Sequence, residues 1–591
     1  MTYLHNDPHD FFREMVDGFV TAYPDRVAGV PGGVVRATAV PRGQVAVVIG
    51  GGSGHYPAFA GLVGPGLAHA AAMGNVFASP SAQQVYSVAK AADAGGGVLL
   101  TYGNYAGDCL NFDEAQERLR AGGIGCQTVT VTDDISSAPA AERSKRRGIA
   151  GDLCVFKAAA WAAERGWSLD EVTRFTALAN DRTRSFGVAF SGCTLPGADA
   201  PLFEVPKGRM GVGMGIHGEQ GLHEADLGSA DEVAGILVSG LLADLPEGMG
   251  SPAGQRAAVL TNGLGSVSYE ELFVLHGAIA RLLREAGVTI VEPDVGELCT
   301  SFDMAGVSLT LCWLTDELEQ AWHAPADAPA YRKGSVAPQV LGDQRETVQA
   351  GETHVAVAGD DSRRCGRVVA AAIEAASARV DASVDELGAL DAVAGDGDHG
   401  IGMQRGAAAA ATASARTVAE GAGAGTVLTS AGDAWADAAG GTSGALWGVL
   451  LRAMGTSFGD DQAPGGRGVA EAVNSALDAV MRTGKAQVGD KTMVDALAPF
   501  ADELSREVGD EQDLPSAWSQ AASVAATAAA DTASLVAKVG RARPHAEKSI
   551  GTPDPGAVSM ARILDAVGTL LQTEWIGRAD MEPSRDEVRR R

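Results

Sequence analysis

From Gln44 to about residue 313, short apolar runs rich in β-branched residues alternate with segments of helical spacing. The runs are QVAVVIG, GGVLLTYG, CQTVTVTDD, AAVLTNG, GVTIVEP and GVSLTLCWL; the helical segments include FDEAQERLRA and DLCVFKAAAWAAERG. Several runs end in glycine or asparagine and lead toward a helix, the pattern of α/β layering with ligand loops at the strand ends. The stretch FSGCTLPGADAPLF, near residues 190–205, interrupts the pattern and predicts two α/β subdomains, about 1–190 and 200–322. Residues 323–353 hold three prolines and little apolar periodicity, which predicts a linker. Beyond it, RRCGRVVAAAIEAASARV, GMQRGAAAAATASARTVA and SAWSQAASVAATAAADTASLVAKVG place small and apolar residues at helical spacing, so residues 354–591 are expected to form an all-α unit of closely packed helices.

At 591 residues the chain exceeds what one core supports. Lys and Arg number 46 against 74 Asp and Glu, a net charge of −28, which argues against nucleic acid or an anionic membrane as the main partner. A phosphorylated ligand must then be met by local devices, glycine loops or a cation. The cysteines, at 109, 126, 154, 193, 299, 312 and 365, are widely spaced without a CxxC pair and read as reduced thiols. The opening MTYLHNDPHDFFREM has no basic segment followed by an apolar run, so no secretory signal is expected. No stretch reaches the roughly 18 uninterrupted apolar residues of a membrane helix. The expected compartment is the cytoplasm.

Three glycine-rich motifs carry the candidate chemistry of the first unit. In VVIGGGSGHYPAFAG, residues 47–61, a strand runs into Gly50, Gly51, Gly52, Ser53 and Gly54. Their N–H groups can grip an oxyanion or a sugar hydroxyl, or make only a tight turn; His55 follows directly. The motif is neither a Walker loop nor a full dinucleotide fingerprint. In LLTYGNYAGDCLNFDEA, residues 99–115, Asp108 falls between a strand and a helix, either as a helix cap or as a catalytic carboxylate. In VGMGIHGEQG, residues 212–221, glycines surround His217 and Glu219. His217 is then a polar turn residue or a nucleophile, since a neutral imidazole attacks a ketone to form a hemiaminal, a bond that a polyol cannot make.

In the second unit, LDAVAGDGDHGIGM, residues 390–403, carries Asp391, Asp396 and Asp398, with Gly395 and Gly397 allowing a tight loop. Converging carboxylates repel unless a cation lies between them, and hard oxygen ligands suit Mg²⁺ bridging nucleotide phosphates; a solvated acidic turn is the alternative. AAGGTSGALWG, residues 438–448, offers Gly440, Gly441, Thr442, Ser443 and Gly444 to phosphates or as a helix cap. Asp490 and Lys491 in GDKTMVDAL, and Arg541 and Asp554 in GRARPHAEKSIGTPDPGA, add to a candidate nucleotide pocket at the loop end of a helix barrel or bundle.

The order and spacing of GGGSGH, GNYAGD, GMGIHGE, GDGDHG, GGTSG, GDKTM and DPGA, between about residues 10 and 575, resemble the dihydroxyacetone kinase family in its fused two-domain form. The resemblance implies a two-part α/β ketose-binding domain followed by an eight-helix barrel that binds Mg-ATP. It places the covalent substrate histidine on His217, the catalytic aspartate on Asp108 and a second active-site histidine on His55. A substrate pocket of Gly52, Ser53, Gly54, Tyr56, Phe59, Ser79 and Gly107 is implied. Magnesium falls to Asp391, Asp396 and Asp398, and the nucleotide to His399, Gly441, Thr442, Ser443, Arg541 and Asp554. Because both units lie on one chain, ATP rather than a phosphotransferase chain is the expected donor. A homodimer is the commoner state of the family.

The commoner loop of the family reads GGGSGHEPAH, but here it is GGGSGHYPAF, so Tyr56 and Phe59 replace a carboxylate and an imidazole. Asn75 stands where aspartate is frequent, and GTPDPGA departs from the commoner GHVDPGA. These changes resemble a subgroup acting on four-carbon ketoses, which makes erythrulose of either hand, in polyol breakdown, the expected substrate and dihydroxyacetone the alternative. Two other classes are a non-catalytic ketose sensor, which need not keep the metal aspartates, and an FAD-splitting cyclase activity at the same nucleotide site.

Overall fold

The computed structural model describes residues 4–8, 10–219, 221–342, 358–395, 397–509, 513–540 and 546–579, with backbone only from 574. The chain divides into two compact units, 1–351 and 352–591.

The first unit runs α1 (Phe11–Ala22), β1 (Val27–Val30), β2 (Gly33–Arg36), β3 (Ala46–Ser53), β4 (Ala70–Val76), α2 (Ala82–Ala92), β5 (Val98–Gly103), α3 (Ala106–Ala121), β6 (Cys126–Val131), α4 (Asp152–Glu164) and α5 (Leu169–Asp181). It continues through β7 (Thr183–Ala189), β8 (Arg209–Val212), β9 (His223–Asp226), α6 (Ala230–Ala243), β10 (Arg256–Gly263), α7 (Tyr269–Glu285), β11 (Thr289–Gly296), β12 (Gly306–Trp313), α8 (Asp316–His323), β13 (Ala326–Asp327) and β14 (Arg332–Lys333). Capping boxes start α2, α5, α6 and α7, each with a serine N-cap answered three residues later by Gln or Glu.

Strands β1 to β6 form one sheet in the order β1-β2-β4-β3-β5-β6, and β7 to β12 a second in the order β11-β10-β12-β7-β8-β9. In the first sheet β4, β3, β5 and β6 are parallel, so the loops after β3, β5 and β6 emerge at one edge. The side chains of β3 and β5 are buried on both faces, which is why these two strands read as continuous apolar runs. Helix α4 is buried but for Glu164, its Asp152 and Lys157 included; its Phe156 and Trp161 join a core shared with residues of both sheets, among them Ile49, Leu260 and Cys312.

Two expected boundaries move. Strand β7 pairs with β12 and opens the second sheet, so that sheet begins at Thr183, ahead of the expected break near 190–205; the break is a loop within it. The expected linker, 323–353, begins as folded chain: Ala326, Ala328 and Tyr331 are buried. The Tyr331 hydroxyl donates to Asp294 at 2.7 Å, and the Lys333 ammonium lies 3.8 Å from the Trp322 ring. Leu341 bridges to Thr38. Three apolar side chains among prolines are too few to show periodicity, yet enough to anchor a short strap.

The second unit, among the described residues, is helical. It runs α9 (Asp360–Asp381), α10 (Val384–Asp391), α11 (His399–Ala419), α12 (Ala424–Ala439), α13 (Gly441–Phe458), α14 (Gly466–Gly484), α15 (Val494–Gly509), α16 (Leu514–Asp531) and α17 (Pro555–Ala579). Beginning with α9 on α11, each long helix packs on the next, and α17 packs back on α9. Small residues allow the closeness: a Cβ added at Gly432 would lie 2.9 Å from the Gly448 carbonyl oxygen. Beside that contact the rings of Trp435 and Trp447 stack 4.7 Å apart. No helix among the described residues is long and apolar enough to cross a membrane.

Candidate active site

His55 enters the site from the loop after β3 and His217 from the loop between β8 and β9, one from each sheet. Their Nε2 atoms stand 3.0 Å apart with the rings nearly perpendicular. His55 is 1% exposed and its Nδ1 is 2.8 Å from the Thr300 carbonyl oxygen, which can only accept, so Nδ1 carries a proton. At the other end His217 Nδ1 is 3.1 Å from Glu219 Oε1, again an acceptor, while Glu219 Oε2 takes the backbone N–H of His217 at 2.9 Å. The nitrogen-to-nitrogen hydrogen bond needs a proton of its own, so the string from Thr300 to Glu219 holds three protons on two rings. Burial, reinforced by the charge of His217 and opposed by the Thr300 carbonyl, pushes His55 down to about 3.

The glycines around His217 make room for Glu219: a Cβ at Gly215 would sit 2.2 Å from its Oε2. Burial drives the Glu219 carboxyl up, but Arg147, His217 and hydrogen bonds overcome it and hold it well below the ordinary carboxylate range. Arg147 is itself held by Asp134, through Nε at 3.0 Å and Nη2 at 2.8 Å, and reaches Glu219 at 3.7 Å. Asp134 also takes the Ser136 hydroxyl and backbone N–H.

Aromatic rings wall the pair. Phe77 stacks on His55 at 4.9 Å and meets His217 edge-on at 5.2 Å; Tyr105 meets His217 edge-on at 4.6 Å. Phe302 packs on Phe77 at 5.3 Å. Phe77 and Phe302 both take positive φ, 52° and 47°, a rare state for residues with a Cβ. Gly54, at φ 110°, serves both rings, since its Cβ would lie 2.6 Å from Phe302 and 2.7 Å from Phe77.

The remaining expected residues divide. Asp108 is buried in the first turn of α3, whose N-cap is Tyr105, so it is not the cap. Ser79 and Gly107 meet through Asn111, whose amide lies 3.3 Å from the Ser79 hydroxyl and 3.1 Å from the Gly107 carbonyl. Ser53 donates to the Gly74 carbonyl at 2.7 Å, and Gly52 backs onto Ala78. The side chains of Tyr56 and Phe59 lie elsewhere than expected. Tyr56 turns to α1, its ring 6.1 Å from Phe19, and burial, with Tyr23 beside it, raises its hydroxyl to about 12. Phe59 is a core residue, packed on Gly51 and 6.2 Å from Phe156. An apolar ring at that position gains more from the core than from a polar pocket.

In the helical unit three helix N-termini meet at His399. Its Nε2 is 3.0 Å from the Ser559 hydroxyl on α17, its Nδ1 is 3.4 Å from the Ser443 hydroxyl on α13, and it opens α11 itself. Converging N-termini direct free N–H groups and positive dipole ends to one point, a natural place for phosphates. Gly440 and Gly441, at φ 60° and 59°, make the turn into α13; Thr442 follows in its first turn. Asp391 ends α10 and accepts the His399 N–H at 3.3 Å; Asp398 directly precedes α11. Burial and Asp391 push Asp398 up to about 7. Burial, with Asp495 and Asp391 adding to it, pushes Asp554 to about 7 as well, against its hydrogen bond from Ala557. Asp396 and Arg541 lie outside the described residues. Among the described residues no three His, Cys, Asp or Glu side chains stand ready to hold a metal ion. Asp398, raised by burial and by Asp391, and Asp391 beside it are hard carboxylates that fit a divalent cation taking its other ligands from water and phosphate. Lys491 spends two donors on the carbonyls of Leu535 and Ser549, at 3.1 and 2.5 Å, and so ties loops together.

Sequence reasoning did not select Phe77, Tyr105, Arg147 or Ser559. Phe77 in VFASP and Ser559 in GAVSM carry no motif signal, and their roles arise from contacts between distant segments.

A buried histidine pair on an α/β unit and a meeting of helix N-termini on a second, helical unit fit a two-domain small-molecule kinase. Residues 17–330 match the Dak1 domain and residues 393–569 the DAK2 domain. The chain belongs to the fused two-domain dihydroxyacetone kinase family. It is 59% identical over 574 residues to an L-erythrulose kinase of Pectobacterium atrosepticum, covering 97% of each chain. It is 54% identical over 566 residues to a D-erythrulose kinase of Mycolicibacterium smegmatis, covering 95% of this chain and 97% of that one. Among solved structures it is similar to the dihydroxyacetone kinase of C. freundii in complex with AMP-PNP and Mg²⁺, at 31% identity and a TM-score of 0.51, covering 96% of this chain and 99% of that one.

Proposed function

We propose that this protein is an ATP- and Mg²⁺-dependent kinase that phosphorylates a terminal hydroxyl of erythrulose, held as a hemiaminal on His217. The observation that carries the covalent step is the 3.0 Å contact between His55 and His217 inside an aromatic wall, which presents one Nε2 in a mostly buried pocket. The relatives named for erythrulose, at 59% and 54% identity, support the four-carbon substrate. Because one is named for the L and the other for the D form, the stereoisomer is left to the assay.

His217 fixes the carbonyl carbon, which sets the reacting hydroxyl within a narrow range of positions. Asp108 accepts that hydroxyl's proton as phosphoryl transfer proceeds, and the amide-rich end of β3 with Ser79 and Gly107 orients the remaining hydroxyls. Mg²⁺, held by Asp391 and Asp398 with Asp396, offsets the phosphate charge. His399, Gly441, Thr442, Ser443, Arg541 and Asp554 bind the nucleotide. The eight long helices form a barrel, supported by the succession of neighbours that returns from α17 to α9. The assembly is a cytoplasmic homodimer; the exposed Tyr269, Phe273 and Val274 on α7 support a covered face there.

The test is ADP release with Mg-ATP against D- and L-erythrulose, dihydroxyacetone and D-glyceraldehyde. One erythrulose enantiomer is expected to lead by at least about tenfold in kcat/KM; equal or better turnover of dihydroxyacetone rejects the tetrose assignment. Asp108→Asn is expected to lose turnover while the ketose still binds covalently, and His217→Ala to lose both.

A further inference from the structure

We propose that Glu219 is the positioning residue of His217: its carboxylate holds the ring's Nδ1–H and the charge the ring carries once Nε2 has bonded to the ketose, and Arg147 with Asp134 holds Glu219 in place. This rests on the covalent reading of His217.

The geometry is that of a clamp. One oxygen of Glu219 takes the backbone N–H of His217 at 2.9 Å and the other faces Nδ1 of the same residue at 3.1 Å, so a single carboxylate fixes both the main chain and the ring. A hydrogen bond from Nδ1 directs the opposite nitrogen, Nε2, toward His55. Glu219 is prevented from turning away by Arg147, and Arg147 by two contacts to Asp134, which is 1% exposed. The separations set the roles: Arg147 is fixed by Asp134 at 2.8 and 3.0 Å and reaches Glu219 at 3.7 Å, so it keeps Glu219 charged while the two hydrogen-bond contacts of Glu219 go to His217. Phe77, Tyr105 and the Thr300 carbonyl, which also face the pair, bring no formal charge.

The proton count then closes. In the free site Nδ1–H of His217 faces Glu219 and one proton lies between the two Nε2 atoms. On capture the proton between the rings passes to the carbonyl oxygen, the Nε2 pair so freed bonds to the carbonyl carbon, and the C=O π pair moves to oxygen as the O–H bond. Nδ1 keeps its own proton. The histidine pair carries one positive charge before and after, and no proton enters or leaves the protein. A fixed negative charge beside Nδ1 is what makes both states acceptable in a partly buried site; with a neutral partner the pair would shed the extra proton and the ketone oxygen would have none to take.

The test compares wild type with Glu219→Gln, which keeps shape and removes charge, and with Glu219→Asp, which keeps charge and shortens the reach. Nitrogen-15 spectra of labelled histidine read the protonation of His217 in the free enzyme near neutral pH. Spectra with ketose labelled at the carbonyl carbon read capture as the shift from trigonal to tetrahedral carbon. The expected result is two protonated His217 nitrogens in wild type and one in Glu219→Gln, a KM for ketose raised on the order of 10- to 100-fold with a smaller fall in kcat, and an intermediate Glu219→Asp. An unchanged thermal midpoint separates this from misfolding, and where Glu219→Gln fails to fold, the nitrogen spectra of Glu219→Asp decide alone. Wild-type protonation and capture in Glu219→Gln would overturn the proposal. Absence of tetrahedral carbon in the wild type would instead overturn the covalent reading, while a changed His217 protonation in Glu219→Gln would still support the positioning role.

Discussion

His55 and His217 come from loops 162 residues apart, yet their Nε2 atoms share a hydrogen bond of 3.0 Å. Neither ring has a free choice of tautomer. A backbone carbonyl fixes one end of the pair and a carboxylate the other, so the reactive nitrogens face each other. The site is therefore prepared in protonation as well as in position.

That arrangement gives stability a pH signature. His55 titrates near 6.5 when unfolded and near 3 when folded, because burial and the neighbouring His217 disfavour its cation. A histidine with a depressed folded pKa contributes stability that is complete above about 6.5 and is lost as pH falls toward about 3. Between pH 7 and 5 the loss is on the order of 2 kcal/mol. His55→Gln is expected to flatten the pH dependence of the α/β unit's urea midpoint by about that amount. Parallel curves for wild type and variant would show that His55 is not held neutral by the fold.

Ser559 offers a test of the helical site. It joins α17 to the N-terminus of α11 through His399 Nε2 at 3.0 Å and receives no hint from the sequence. Ser559→Ala removes the hydroxyl that orients this ring while leaving helix packing intact. A single neutral hydrogen bond is worth about 1 kcal/mol, so the Kd for a non-hydrolysable ATP analogue with Mg²⁺ should rise about fivefold, with ketose capture unchanged. Unchanged nucleotide affinity in calorimetry would place His399 outside the nucleotide site.

The sequence made the two-layer plan legible because both signals are local. The buried parallel strands β3 and β5 read as apolar runs, and alanine spacing marks the helices. The six apolar runs singled out in the first unit correspond to β3, β5, β6, β10, β11 and β12. The shorter strands β1, β2, β8 and β9, at four residues each, lie below what periodicity resolves, and β4 hides in an alanine run. Within the site, glycine motifs announced His55 and His217, whereas Arg147 acts through long-range contacts and Phe77 through a positive φ that its residue type disfavours. Glu219 was visible beside His217, but only the fold shows that it clamps the same residue twice.

Phe59 separates what a family difference suggests from what the fold permits. As a departure beside His55 it invites a role in choosing the ketose; in the fold its ring is 8% exposed, lies against Gly51 and belongs to the core with Phe156. Replacing it with histidine, the commoner residue of the family, would bury a polar ring among Leu62, Phe156 and their neighbours. Loss of apolar burial and an imidazole poorly supplied with partners together cost about 3 kcal/mol. Phe59→His is therefore expected to lower the thermal midpoint of the α/β unit by several degrees, while the ratio of kcat/KM for erythrulose over dihydroxyacetone stays within about twofold of wild type. A stable variant whose preference swings to dihydroxyacetone would return Phe59 to the substrate pocket. The side chains to vary for specificity would otherwise be those that touch the histidine pair, Phe77 and Tyr105 first.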